Sequence, residues 1–106
     1  MAKLDDAGRA EFLAAHPDWA LDGEAISRTF KLSNFNEAMG FVARVALAAE
    51  VADHHPDIDI RWNRVTLVLS THDEGALTKK DTSLAEQYDG FIAVTKPGSL
   101  TSSPAL

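Results

Sequence analysis

The chain contains no cysteine, which excludes disulfides, thiolate metal sites and a cysteine nucleophile. It is poor in positive charge: ten Lys and Arg face sixteen Asp and Glu, a net charge of −6. A broad nucleic-acid surface needs a basic face to neutralise phosphates, so direct nucleic-acid binding is not expected. No apolar run approaches the length of a membrane span, and Met1 to Arg9 has acidic residues in place of an apolar signal core. No membrane association and a cytoplasmic location are therefore expected. There is no glycine-rich phosphate loop and no Gly-x-Ser-x-Gly nucleophile elbow.

What is present suits one domain. At 106 residues with 45% hydrophobic content, the chain can bury roughly two-thirds of its unfolded surface. Residues 1–95 read as that domain. Residues 96–106, with Pro97, Gly98, Pro104 and several Ser and Thr, read as a flexible tail.

The pattern predicts a first helix from Asp5 or Asp6 to about Ala15, anchored by Phe12 and Leu13 and stopped by Pro17. Trp19 to Leu21 and Ala25 to Leu32 flank Asp22-Gly23, a hairpin-turn signal. Arg28 interrupts the apolar face of the second strand. Asn34 and Glu37 form a capping box ahead of the longest helix. Its expected apolar stripe is Phe35, Ala38, Met39, Val42, Val45, Ala46, Ala49 and Ala52, with Phe41 and Leu47 off it. That breadth of apolar surface suggests self-association, as a homodimer or homotetramer, and makes Met39 and Phe41 natural positions for a partner contact. Pro56 ends the helix, and Ile58, Ile60 and Trp62 alternate with Asp57, Asp59 and Arg61. Asn63-Arg64 turns into a strand from Val65 to Thr71. Thr78 and Asp81 resemble a further capping box before a helix carrying Leu84, Tyr88, Phe91 and Ile92. Two hairpins and three helices predict an α+β fold: a four-stranded antiparallel sheet with helices on one face.

The chemistry gathers around the second hairpin. His54 and His55 stand where the long helix breaks, and His72 where the last strand ends. The start of one hairpin strand lies beside the end of the other, so these three histidines converge. Histidine titrates near neutrality and suits acid–base work. Glu50, Asp53, Asp73 and Asp81 are within reach in sequence, and a carboxylate beside an imidazole can fix its tautomer. Residue types alone leave open a catalytic cluster, an exposed helix-end pair and a metal site. No helical His-x-x-x-His pair favours metal.

The run Glu50 to Asp57 with His54-His55-Pro56, then Trp62-Asn63-Arg64-Val65, Leu69 to Asp73 with Thr71-His72-Asp73, Leu77 to Asp81 and Leu84-Ala85 resembles the pterin-4a-carbinolamine dehydratases. Phe30 to Leu32, Phe35 to Phe41 and Trp19 are similar to that family too. The resemblance implies the α+β fold, dehydration of 4a-hydroxytetrahydropterin to quinonoid dihydropterin, and no cofactor or metal. It implies a place in tetrahydropterin recycling beside aromatic amino acid hydroxylases, and an alternative use of the helical surface as a dimerisation cofactor. It places the catalytic histidines at His54, His55 and His72. Supporting acids fall at Glu50, Asp53 and Asp81, and Trp19 falls at the pterin pocket. On this basis His54, beside Glu50, is the expected acid toward the leaving hydroxyl, with His72 as the other candidate. His55 would bind the hydroxyl or ring, and Asp81 would orient a histidine or the ring. The chain departs from the family at Ile58 and in the loop Gly75-Ala76-Leu77-Thr78, where a positive φ at Ala76 would be unfavourable.

Overall fold

The computed structural model describes residues 2–95; the expected tail at 96–106 lies outside the described residues. The element order is α1 (Asp6–Ala15), β1 (Ala20–Asp22), β2 (Ala25–Lys31), α2 (Phe35–Ala52), β3 (Asp57–Arg61), β4 (Arg64–Leu69), a 3₁₀ turn (His72–Glu74) and α3 (Lys79–Thr95). The α+β fold is as expected. All neighbouring strands pair antiparallel, in the order β1-β2-β4-β3.

Local chemistry sets the ends of these elements. The Asp5 side chain accepts the Gly8 N–H and opens α1, and the Asn34 side chain accepts the Glu37 N–H and opens α2. Gly23 turns the first hairpin at φ 60, a conformation that costs glycine little. Trp62 does not extend β3. It occupies the tight turn of the second hairpin with φ 53, and is mostly exposed there.

The core lies between one face of the sheet and the helices. Ile26, Phe30, Val65, Leu67 and Leu69 meet Phe41, Val45, Leu84 and Tyr88, all fully buried. This corrects the expected stripe of α2. Phe41 is at the centre of the buried face with Ala38, Val45 and Ala49, whereas Phe35 and Met39 face outward. At 100° per residue, Ala38, Phe41, Val45 and Ala49 cluster within one arc; the stripe read from the sequence shares Ala38, Val45 and Ala49 with it but extends past it on the side of Phe35 and Met39 and leaves out Phe41. Phe41 is therefore not a surface contact.

Arg28 interrupts the apolar face for a reason carried by α3. Asp89 accepts from Arg28 Nη1 at 2.7 Å and Trp19 Nε1 at 2.9 Å, and its other oxygen meets His16 Nδ1 at 2.7 Å. The Arg28 guanidinium also lies 4.2 Å from the centre of the Phe30 ring. One carboxylate thus ties α1, β2 and α3 together.

Candidate active site

Helix α2 ends by reversing direction. Asp53 adopts the left-handed conformation, φ 50 and ψ 44. The His54 N–H reaches Ala49 O at 3.1 Å and the Asp53 N–H reaches Glu50 O at 3.2 Å, the paired bonds of a Schellman motif. Aspartate tolerates this backbone better than most residues with a Cβ. The reversal sends the two neighbouring histidines to different partners.

His54 turns inward. Its Nε2–H donates to Asp81 Oδ1 at 2.5 Å, and Asp81 is fully buried. The other carboxylate oxygen accepts from Thr71 Oγ1 and from the Thr78 N–H, each at 2.9 Å. The second of these bonds is half of the capping box expected for α3. Thr78 Oγ1 accepts the Lys80 N–H at 3.2 Å. Asp81 therefore caps its helix and holds the His54 ring with the same carboxylate, its desolvation offset by three donors.

His55 turns outward, back over the last turn of α2. Its Nε2–H donates to Glu50 Oε1 at 2.6 Å, in a pair well exposed to solvent. This corrects the expected pairing, in which Glu50 stood beside His54. The left-handed turn at Asp53 places the second histidine, not the first, above Glu50. In water such a pair is weak and easily exchanged for a ligand.

His72 opens the 3₁₀ turn after β4 and is exposed. Gly75 carries the positive φ of this loop, at 60, so Ala76 needs none; it is buried and bridged to Thr71. Ile58 sits on the edge strand β3.

His54, His55 and His72 come together as expected around a cleft of about 240 Å³, whose lining also includes Asp53, Ser70, Thr71, Asp73 and Lys80. That size suits a small ring system better than an extended ligand, since ligand cavities run roughly 300–1,000 Å³. Glu50 and Asp81 stand behind the rings. Trp19 does not line this cleft; it is buried in the core with its N–H on Asp89. Lys80, Ser70 and Thr71 lie within the runs that carry the family resemblance but are not among the site residues expected from the sequence. Thr71 precedes His72 directly, and Lys80 precedes Asp81, which are the signals that mark them. Among the described residues, no group of three or more His, Asp or Glu is arranged to hold a metal ion. No helix among them is long and apolar enough to cross a membrane.

A sheet backed by helices, with imidazoles and carboxylates converging at one end, defines a small α+β domain with a histidine-lined cleft. The sequence pattern of the family described as Pterin 4 alpha carbinolamine dehydratase matches residues 2–91. The chain belongs to that family. A Chloroflexus aurantiacus protein named for pterin-4-alpha-carbinolamine dehydratase is 56% identical over 92 residues, covering 87% of this chain and 99% of the relative. A Rhodospirillum rubrum protein of the same name is 47% identical over 92 residues, covering 85% and 96%. A crystal structure from Brucella melitensis, described as a transcriptional coactivator/pterin dehydratase, superimposes with a TM-score of 0.80 at 38% identity, covering 84% of this chain and 97% of that one.

Proposed function

We propose that this protein is a 4a-hydroxytetrahydrobiopterin dehydratase that removes water from the pterin-4a-carbinolamine by histidine acid–base catalysis. The observation that carries the reading is the buried His54–Asp81 pair at the wall of a cleft that two further histidines line. The family and the names of its relatives support a pterin dehydratase.

The substrate carries a hydroxyl on C4a beside ring nitrogens. Dehydration needs a proton delivered to that hydroxyl and a proton taken from nitrogen, giving water and quinonoid dihydropterin. With Nε2 engaged by Asp81, Nδ1 of His54 is the nitrogen left for proton transfer. To act as the acid the His54 ring enters the step carrying both protons, Nε2–H held by the buried carboxylate and Nδ1–H available to the leaving hydroxyl, and the carboxylate fixes its orientation. His72 and His55, which line the same cleft, accept the second proton and hold the ring. The product is a substrate for reduction, which places the reaction in tetrahydropterin recycling after an aromatic amino acid hydroxylase, in the cytoplasm. The test is the ultraviolet decay of freshly generated 4a-hydroxytetrahydropterin with and without the protein. Acceleration supports the reading, and equal decay by folded protein overturns it.

A second use of the molecule has its own observation. Phe35, Met39, Leu47, Ile58, Ile60 and Trp62 are exposed on α2 and around the second hairpin, and none lines the histidine cleft. Such a surface suits protein contact, first of all self-association into a homodimer or homotetramer. Light scattering on the parent and on Met39→Glu reads it: a shift toward monomer in the variant is the expected result.

A further inference from the structure

His54 and Lys80 are the two residues shared by two adjoining clefts. One is the histidine cleft already described. The other, of about 370 Å³, runs between the end of α2 and the start of α3, and is lined also by Ala52, Lys79, Ser83, Leu84 and Gln87. Residues that line both clefts stand where the two meet, so the imidazole and the lysine border the same space.

Lys80 is the one permanent cation lining the histidine cleft. It is exposed, and its ammonium has no carboxylate partner among the described residues. It also stands in the first turn of α3, the end of a helix where a cation is least favourable. Neither an ion pair nor the helix explains its position, whereas the cleft does.

The substrate class supplies a partner for it. In a pterin-4a-carbinolamine the carbon next to C4a carries the ring carbonyl, so the leaving hydroxyl and the carbonyl oxygen are on adjacent carbons. A site that protonates the first brings the second within reach of whatever stands beside the acid. A buried carbonyl without a donor would weaken binding.

We propose that Lys80 is a substrate-binding residue whose ammonium donates to the C4 carbonyl oxygen of the pterin while His54 acts on the adjacent hydroxyl. This rests on the dehydratase reading above. The lysine then selects for pterins and related rings bearing that carbonyl, and it acts on affinity more than on turnover.

The test compares the parent with Lys80→Met, Lys80→Arg and the neighbouring Lys79→Met. Dehydration kinetics are measured together with equilibrium binding of 7,8-dihydrobiopterin, which keeps the carbonyl and lacks the C4a hydroxyl. Lys80→Met should raise both KM and the dihydropterin Kd about tenfold, the loss of one charge-assisted hydrogen bond, with kcat little changed. Lys80→Arg should restore most of the affinity, and Lys79→Met should match the parent. Unchanged KM and Kd in Lys80→Met would overturn the proposal, as would an equal loss in Lys79→Met or an effect confined to kcat. If the parent itself neither binds nor dehydrates, the dehydratase reading fails and this proposal with it. If the parent does both and Lys80→Met does so equally well, this proposal alone fails.

Discussion

His54 and Asp81, 27 residues apart in sequence, meet through a 2.5 Å hydrogen bond from the imidazole Nε2 to a fully buried carboxylate oxygen. The same carboxylate closes the first turn of α3 through the Thr78 N–H and accepts the Thr71 hydroxyl. The helix cap and, in the proposed reaction, the orientation of the acid therefore depend on one side chain. Asp81→Asn keeps the size but brings an amide N–H₂ among three donors. The expected outcome is a dehydration rate roughly 10²-fold lower and a fold weaker by about 1–3 kcal/mol. Kinetics and thermal melting on one preparation check both.

Asp53 acts first through its backbone. Its left-handed conformation turns the chain so that His54 goes inward and His55 outward. Glycine adopts that conformation without a Cβ penalty, and alanine does not. Asp53→Gly should melt at or above the parent's temperature, whereas Asp53→Ala should lose about 1 kcal/mol. Denaturant titration of the three proteins measures the order.

Much of the fold was legible because its signals are local. Asn34 and Glu37, Thr78 and Asp81, Asp22-Gly23 and Pro56 each announce an element's start or end within a few residues. The convergence of His54, His55 and His72 followed from hairpin geometry alone. The pairing of acids with histidines was not legible, since it depends on the φ of Asp53, which decides whether His54 or His55 faces Glu50. The hub at Asp89 was hidden for a different reason. Its partners are at positions 16, 19 and 28, and only the docking of α3 on the sheet brings them together. The phase of α2 was misread because alanines and a valine surround Phe41 on several sides, and small residues mark a buried face weakly.

Tyr88 is fully buried and its hydroxyl has no hydrogen-bond partner among the described residues. Burial pushes the phenol up from 10.0 to about 12. The folded state keeps this proton to higher pH than the unfolded chain, so its contribution is intact below about 10 and is lost as pH rises toward about 12. Tyr88→Phe removes an unsatisfied hydroxyl from the core. It should gain about 1 kcal/mol at neutral pH and flatten the alkaline decline, both read by urea titration across pH.

Glu24 gives the opposite slope. The Arg9 guanidinium, aided by the Leu77 N–H and Lys3, lowers its carboxyl from 4.5 to about 2. The charged form is favoured in the fold, so its contribution is fully present above about pH 4.5 and is lost as pH falls toward 2. The melting-temperature gap between the parent and Glu24→Gln should be constant above that range and shrink through it. A gap that does not change with pH would remove the carboxylate from the acid response.

The central claim is that His54 moves the proton that releases water. The direct measurement is the ultraviolet decay of 4a-hydroxytetrahydropterin with the parent, with His54→Ala and without protein, at equal concentration and with both proteins shown to be folded. The expected result is acceleration by the parent and a loss of roughly 10²–10⁴-fold in the variant. A variant within a few-fold of the parent would contradict the assignment of His54 as the acid.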